Sequence, residues 1–164
     1  MARPRSATHD LKRDQILDVA AQCFARQSFP AASMNDIAAA CGTSKARLYH
    51  YYESKDAILF DLLDRYTQRL LALIGEAEAR AQRRNLSERE ALNELVRSFL
   101  TEYENSATRH QALVSDTKFL GQTQRDLIVN RQRDVVAAFT RFLSRAYPPR
   151  VNAANQKALT MMMF

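Results

Sequence analysis

The stretch Ser33–Lys55 reads S-M-N-D-I-A-A-A-C-G-T-S-K-A-R-L-Y-H-Y-Y-E-S-K, and its pattern predicts two short helices joined by a tight turn. Ser33 is a good N-cap, because its hydroxyl can accept a hydrogen bond from an N–H group of the first helical turn. Asp36 stands three residues later, where a carboxylate also favours a helix start. Gly42 fits the position just after the first helix, where a left-handed backbone suits glycine best.

The second of these helices is short and basic. Thr43 or Ser44 is expected to cap it. Leu48 and Tyr52 lie one helical turn apart, and we expect them to anchor the helix in a core. The side chains without an obvious place in a core are Lys45, Arg47, Tyr49 and His50. A helix, a turn with Gly and a basic helix form the helix-turn-helix plan, although the same pattern also fits an αα-hairpin in an ordinary bundle.

Three segments between residues 12 and 62 carry a resemblance to a known family. They are R-D-Q-I-L-D-V-A-A-Q-C-F-A, D-I-A-A-A-C-G-T-S-K-A-R-L-Y-H-Y-Y and E-S-K-D-A-I-L. In this combined spacing the chain resembles the TetR family of bacterial repressors. Two positions depart from the family pattern. Ser28 replaces a usual Gly, so it must adopt a left-handed backbone or the turn must differ. Tyr52 replaces a usual Phe, so its hydroxyl needs a partner if it is buried.

The resemblance implies roles for individual residues. It places Thr43, Ser44, Lys45, Tyr49, His50 and Lys55 in contact with DNA, mostly at phosphates. From the residues themselves, Ser33 at its helix N-terminus is well placed for a phosphate. Arg47 is the first candidate for a base edge, because arginine pairs bidentately with guanine. The implied partner is palindromic double-stranded operator DNA, bound by a homodimer.

The composition predicts an all-α protein. Only three Gly and four Pro occur among 164 residues, and the apolar residues recur at helical spacing. We expect a three-helix DNA-binding head with the helix-turn-helix, followed by a helical ligand-binding and dimerisation body. Residues 1–10 are expected to be a flexible basic arm. The predicted helices outside the helix-turn-helix are 11–27, 55–80, 88–105, 107–120 and 124–146, with a capping box from Ser87 to Glu90.

The predicted domains are 1–54 for DNA binding and 55–164 for effector binding and dimerisation. The helix that starts at Lys55 would link the two, so that an effector felt in the body could move the head. The last stretch, Asn152–Phe164, is expected to begin an eighth helix, and it ends in four apolar residues. We expect that part of the C-terminal dimerisation helices is missing here. The alternative is an apolar tail that docks on its own body.

The predicted effector pocket lies in the body. Each of its candidate walls is more often plain core than pocket lining. The candidates are Leu63, Tyr66, Leu70, Phe99, Tyr103, Phe119 and Phe139. The arginines of residues 124–146 fit a solvated face, or one or two of them could hold an anionic effector group. The aromatic content and these arginines suggest a lipophilic or acyl-thioester-like effector.

Other function classes have weaker support. The net charge of +6 fits a polyanionic partner, and the first 55 residues are basic. The sequence has no Gly-rich phosphate loop and no Cys/His metal spacing, so we expect no enzyme activity, cofactor or metal. Without a signal peptide or an apolar run of membrane-spanning length, we expect a cytoplasmic protein with no membrane partner. The alternative function is a helical interaction module whose basic helix binds a protein or an anionic surface.

Overall fold

The computed structural model describes residues 5–148, and every regular element in that range is helical. This confirms the predicted all-α fold class. No helix between residues 5 and 148 combines the length and the apolar character needed to span a lipid bilayer. The helices are α1 (Arg5–Gln27), α2 (Met34–Ala40), α3 (Lys45–Tyr49), α4 (Lys55–Arg83), α5 (Glu88–Asn105), α6 (Ala107–Asp116) and α7 (Gln122–Ala146), with a short 3-10 helix, Thr117–Phe119, after α6.

The described chain divides into two compact units. The head unit contains the chain up to Tyr66 together with Ser106–Arg125, and the body unit contains Thr67–Asn105 and the chain from Asp126. The predicted head, residues 1–54, lies within the head unit. A division by contacts does not test which residues bind DNA, so the functional boundary after residue 54 stays a prediction. The predicted eighth helix and the question of missing C-terminal helices lie outside the described residues.

Within the head unit, α1, α2 and α3 share one apolar core. α1 packs against α2 and α6, and α2 packs against α3. The apolar stripe of α1 is buried as its spacing predicts, and α2 and α3 contribute apolar side chains to the same core. The core residues from these helices include Ile16, Leu17, Ala20, Phe24, Ile37, Ala38 and Leu48.

Helix boundaries follow the predicted caps at most positions. Ser87 begins α5 through a capping box, because its backbone N–H donates to Glu90 Oε2 at 2.8 Å and its hydroxyl accepts from the Glu90 N–H at 3.4 Å. α4 ends three residues later than predicted, at Arg83. Asn85 then adopts a φ of +49°, and the Leu86 N–H donates to the Ala81 carbonyl at 3.0 Å, which is the bond of a Schellman ending.

Two predicted boundaries were wrong. α1 begins at Arg5, so residues 5–10 belong to a helix and not to a flexible arm. That segment contains no Gly or Pro, and the His9 ring stacks on Tyr51 at a centroid distance of 5.0 Å, which gives the extension a tertiary contact. α6 ends at Asp116 instead of Leu120. The chain tightens there into the 3-10 helix, where the Thr117 hydroxyl donates to the Leu113 carbonyl at 2.6 Å.

Candidate nucleic-acid interface

The N-terminus of α2 has the predicted cap. Ser33 has extended backbone angles, and its hydroxyl accepts from the Asp36 N–H at 3.2 Å while the Asp36 carboxylate accepts from the Ser33 N–H at 2.8 Å. The Ser33 hydroxyl also donates to the Asp36 carboxylate at 2.6 Å, and this bond, followed by the one from the Ser33 N–H, holds the pKa of the Asp36 carboxyl below its usual value. The predicted phosphate contact of Ser33 stays a prediction, and a phosphate would meet a carboxylate already placed at this helix end.

The turn between α2 and α3 depends on Gly42. Its φ is +60°, and the Thr43 N–H donates to the Ala38 carbonyl at 3.0 Å, so the helix ends in the Schellman arrangement that its sequence predicts. Ser44, and not Thr43, caps α3: its hydroxyl accepts from the Arg47 N–H at 3.1 Å. Ser44 is exposed and Thr43 is half-buried.

The short helix α3 separates its side chains as predicted. Leu48 is fully buried, and Tyr52, just after the helix, is 3% exposed. The predicted DNA-contacting side chains are all exposed on the other sides of this segment. They are Lys45, Arg47, Tyr49 and His50. The buried anchors Leu48 and Tyr52 orient this segment so that its basic and aromatic side chains face solvent. A helix that enters the major groove requires this arrangement.

An open groove of about 340 Å³ lies beside this surface. Arg47 and Thr43 line it from the helix-turn-helix, and Lys12 and Gln15 line it from α1. Sequence reasoning missed Lys12 as a candidate for the interface. Its exposed position on α1 could have been read from the apolar stripe, but no local pattern shows that it lines the same groove as Arg47.

A hydrogen-bonded cluster fastens the end of α3 to α1 and α4. The Tyr52 hydroxyl donates to Asp61 Oδ2 at 2.6 Å, and Arg13 donates to the same oxygen at 2.9 Å. Arg65 donates to Asp61 Oδ1 at 3.0 Å and to Asp14 at 3.0 Å. This supplies the partner that the hydroxyl of Tyr52 was predicted to need. We refer to Arg13, Asp14, Tyr52, Asp61 and Arg65 as the Asp61 cluster.

The electrostatics of the cluster favour a charged Asp61. Burial alone raises the pKa of this carboxyl, but the hydrogen bonds from Tyr52 and Arg65 outweigh it, so the pKa lies below its usual value. Burial, followed by the bond to Asp61, raises the pKa of Tyr52 well above its ordinary range. The hydroxyl therefore remains a neutral donor at every physiological pH.

We expect the substitution Tyr52→Phe to lower the free energy of unfolding by about 1 kcal/mol, because it removes one donor to a charged acceptor and one acceptor for Arg13. Urea denaturation followed by circular dichroism measures the change. Tyr49→Phe is the matched control, since Tyr49 is exposed and its loss of a hydroxyl should leave stability within about 0.5 kcal/mol of wild type. Equal stability of both variants would show that the Tyr52 hydroxyl contributes nothing.

Lys55 has partners that the sequence did not predict. Its ammonium donates to the carbonyls of Phe29 at 2.7 Å, Ala32 at 2.8 Å and Pro30 at 3.3 Å. These carbonyls belong to the loop between α1 and α2. The family resemblance implies a phosphate contact for Lys55, and this geometry does not test it. A phosphate would compete with these three carbonyls for the same ammonium group.

The candidate effector walls divide between the two units. Leu63, Tyr66 and Phe119 lie in the head unit, where Phe119 stacks on Phe29 at 5.3 Å and Tyr66 contacts His110 edge-on at 6.2 Å. The other four candidates, Leu70, Phe99, Tyr103 and Phe139, lie in the body unit. There the ring of Phe99 meets those of Tyr103 and Phe139. The sequence placed Phe119 in the body, whereas its ring stacks on Phe29 within the head unit.

The comparisons with known proteins agree with this architecture. Residues 16–62 match the family model described as bacterial regulatory proteins, tetR family. A TetR-family transcriptional regulator from Bordetella parapertussis 12822 has a similar structure, with 32% identity and a TM-score of 0.83 over 92% of this chain and 77% of that one. The structure of AibR in complex with isovaleryl coenzyme A and operator DNA shares the fold, with a TM-score of 0.74, 21% identity and coverage of 93% of this chain and 81% of that one.

The curated relatives match over shorter stretches. The repressor KstR2 from Rhodococcus jostii is 31% identical over 102 residues, which is 62% of this chain and 47% of the relative. This chain spans about a third to a half of the length of the curated relatives that it matches. The Bordetella structure provides the broader match, because it is similar over most of both chains and includes the helix-turn-helix. This chain therefore belongs to the TetR family of bacterial regulatory proteins.

Proposed function

We propose that this protein is a ligand-responsive transcriptional regulator, acting as a repressor, that binds palindromic operator DNA as a homodimer. The observation that carries the proposal is the exposure of Lys45, Arg47, Tyr49 and His50 beside the buried anchors Leu48 and Tyr52. A relative described as a transcriptional repressor, KstR2, supports the sign of regulation. Operator DNA of bacteria lies in the cytoplasm, and we place the action of the protein there.

The residues divide the work of DNA binding by chemistry. Hydroxyl and ammonium groups hold phosphates, which fixes the position of the head without reading the sequence. We assign this role to Ser33, Thr43, Ser44, Lys45 and Tyr49, and also to the imidazole N–H of His50. Arg47 reads a base edge, because its planar guanidinium matches the two acceptors of guanine. Lys12 lines the same groove as Arg47, where it would add a further phosphate contact.

The effector is an acyl thioester or a similar lipophilic molecule, and it binds in the helical body. Support comes from AibR, a protein of the same fold whose structure is described with isovaleryl coenzyme A and operator DNA. Two heads related by a two-fold axis would read half-sites about one helical turn apart, roughly 34–36 Å. The dimer contacts would come from the C-terminal helices, as the family resemblance implies.

Selection of bound fragments from a random duplex pool tests the proposal. We expect the selected fragments to share a palindrome, and binding to weaken as salt rises, because phosphate contacts release counterions. Titration of the bound complex with acyl-coenzyme A compounds of increasing chain length should then release the DNA. Recovery of no preferred duplex would reject the proposal and would favour the alternative, an interaction module in which the exposed arginines of α7 bind another protein or an anionic surface.

Arg47→Ala tests the base contact within this proposal. We expect it to weaken operator binding by about 1–3 kcal/mol and to relax the preference at one base position, because one bidentate pair is lost. The measurement is a competition assay with duplexes that carry each base at each position. Arg141→Ala removes the same charge from an exposed position on α7 and should leave the base preference unchanged. An equal loss on all duplexes would identify Arg47 as a phosphate contact instead.

A further inference from the structure

Asp18 provides a negative charge in the groove that lies beside the helix-turn-helix. The charged residues that line this groove, within the part of the chain that the structure describes, are Lys12, Asp18 and Arg47. Lys12, Gln15 and Asp18 follow one another at three-residue spacing on α1, so they lie on one side of that helix over a length of about 9 Å. The Asp18 side chain is 57% exposed. A carboxylate therefore lies on the surface where the proposed function places DNA phosphates.

Arg109 neutralises this carboxylate from another helix. Its guanidinium donates twice to Asp18 Oδ1, from Nε at 2.8 Å and from Nη2 at 2.7 Å, which are short distances typical of charge-assisted bonds. The Arg109 side chain is only 18% exposed, so it is directed at Asp18 and not at solvent. Both residues belong to the head unit, in which α1 packs against α6. The pair therefore adds no net charge to the groove, although Asp18 alone would add one negative charge.

Local preferences do not explain the arginine at this position of α6. Arg109 is the third residue of the helix. A cation in the first turn meets the positive end of the helix dipole, which disfavours arginine there. Partly exposed ion pairs of this kind also contribute little to the stability of a fold. What the arginine does supply is a compensating charge for a carboxylate on the groove.

A charge in this groove acts on DNA without touching it. Each phosphate carries a negative charge, so an unmatched carboxylate nearby lowers the affinity for DNA and an unmatched cation raises it. Exposed charges act over a screening length of about 10 Å at 0.1 M salt and about 30 Å at 0.01 M salt. Asp18 and Arg47 line one groove of about 340 Å³, so DNA bound at Arg47 lies within the low-salt screening length of Asp18.

We propose that Arg109 raises the DNA affinity of the head by masking the charge of Asp18, and that it does so without contacting DNA. This inference rests on the proposed function, because it requires DNA phosphates beside the groove. Arg109 acts only through Asp18, so it is not one of the DNA-contacting residues. A residue of α6 thereby determines the charge of a surface that α1 and α3 present to DNA.

Two single variants should change the affinity for DNA in opposite directions. Arg109→Met leaves the carboxylate of Asp18 unmasked, so we expect about threefold to tenfold weaker binding at about 0.05 M salt. Asp18→Asn keeps the size of the side chain and leaves the charge of Arg109 unmatched, so we expect binding about threefold to tenfold tighter than that of wild type. Misfolding cannot produce a gain in affinity. Asp18→Asn therefore decides the question even if Arg109→Met does not fold.

The double variant Asp18→Asn/Arg109→Met should bind like wild type, because it again leaves no charge unmatched. Arg109→Lys should also bind like wild type, since lysine keeps a compensating charge near Asp18. A mechanical role for the pair gives a different pattern. If the two bonds served only to clamp α1 to α6, both single variants and the double variant would lose affinity, and lysine would not replace the guanidinium.

The measurement is fluorescence anisotropy with the selected operator and with a random duplex of the same length, at low and at raised salt. Charge compensation carries no sequence information, so the ratios of affinity between variants should be the same on both duplexes. These ratios should approach one as the salt concentration rises, because screening weakens the effect of each charge. A mechanical change would not be screened in this way.

Asp134→Asn and Arg141→Met are the matched controls for net charge. They make the same changes of charge at exposed positions on α7, in the body unit. We expect their affinities for DNA to stay within about twofold of wild type, because the effect depends on a position beside the groove and not on the total charge. Equal shifts in these controls and in the head variants would overturn the inference.

The inference would also be overturned by unchanged affinity in both single variants, or by equal losses in the single and double variants. A preferred palindrome without the predicted order of affinities would reject the inference alone. The predicted order on random duplex, without any preferred palindrome, would reject the proposed function alone. Failure of wild type to bind either duplex would reject both.

Discussion

Replacement of Phe99 by alanine should lower the free energy of unfolding by about 3–5 kcal/mol, the usual loss for a large aromatic side chain removed from a core. Phe99 is 2% exposed. Its ring meets Phe139 at a centroid distance of 4.7 Å and an interplanar angle of 83°, and Tyr103 at 6.0 Å and 89°. These edge-to-face contacts add to the burial, so the substitution removes packing on several sides of the ring.

The measurement distinguishes a core residue from the wall of an effector pocket. A wall that already borders empty space loses fewer contacts on truncation and leaves a smaller new cavity. The neighbouring Tyr103 is half-buried, and this burial raises the pKa of its hydroxyl to about 12. We therefore expect Phe99 to behave as core, and the predicted effector site to depend on other residues of the body unit.

Leu100→Ala is the matched control for Phe99→Ala. Leu100 is the next residue on α5 and is 55% exposed, so its truncation should change stability by less than about 0.5 kcal/mol. Urea unfolding with a constant m-value would show that only the native state has changed. A loss below about 1 kcal/mol for Phe99→Ala, together with weaker binding of an acyl-coenzyme A, would identify Phe99 as a pocket wall.

The helix-turn-helix was predictable because its determinants are local in sequence. Ser33, Ser44 and Ser54 each cap a helix through a backbone N–H three residues later, and Gly42 needs only its own left-handed backbone. The burial of Leu48 likewise follows from helical spacing. Interactions within one or two helical turns leave a signature that can be read in the sequence without knowledge of the fold.

The contacts that position the recognition helix could not be predicted, because they join distant parts of the chain. Tyr52 was expected to need a partner, but nothing in the sequence identified Arg13 or Asp61 as that partner. Lys55 was assigned to phosphate through a family pattern, whereas its carbonyl partners lie in a loop more than twenty residues earlier. Such contacts depend on how helices pack, and many packings are compatible with one apolar pattern.

Some boundaries were missed for a related reason. The segment 5–10 is polar, and polarity by itself favours neither a helix nor a disordered arm. The extension of α1 carries His9 onto Tyr51, and this contact exists only once α3 is in place. Ser28 differs, because the sequence predicted either a left-handed backbone at this usual glycine position or a different turn. The structure has the left-handed backbone, with a φ of +71°. The sequence identified the site of strain but not how the chain would resolve it.

Asp61→Asn should lower the free energy of unfolding by about 3 kcal/mol at neutral pH. The carboxylate accepts bonds from Tyr52, Arg13 and Arg65, and its side chain is only 18% exposed. An asparagine removes the charge, so Arg13 loses its carboxylate partner in a partly buried site and Arg65 keeps only its ion pair with Asp14. Removal of one member of a fully buried ion pair costs about 3–5 kcal/mol, and the partial exposure of this cluster places the effect at the lower end.

The difference between wild type and Asp61→Asn should depend on pH in a defined direction. The pKa of Asp61 is lower in the folded protein than its ordinary value near 4, because the bonds it accepts outweigh the effect of burial. The unfolded state therefore binds the proton more readily. The stabilisation is fully present above about pH 5, and it is lost as the pH falls through the ordinary value towards the folded one. The two proteins should approach equal stability in acid.

Asp14→Asn is the control within the same cluster, because Asp14 accepts a bond from Arg65 and its side chain is 46% exposed. Such an exposed pair contributes at most about 1 kcal/mol. The hydrogen bonds from Ser33 and Ser87 also lower the pKa values of Asp36 and Glu90. The pH dependence of wild-type stability therefore contains contributions from these groups as well as from Asp61. Subtraction of the two pH profiles removes those shared contributions. A difference that stays constant down to pH 3 would mean that the charge of Asp61 is not what stabilises the head, and that the loss comes from packing.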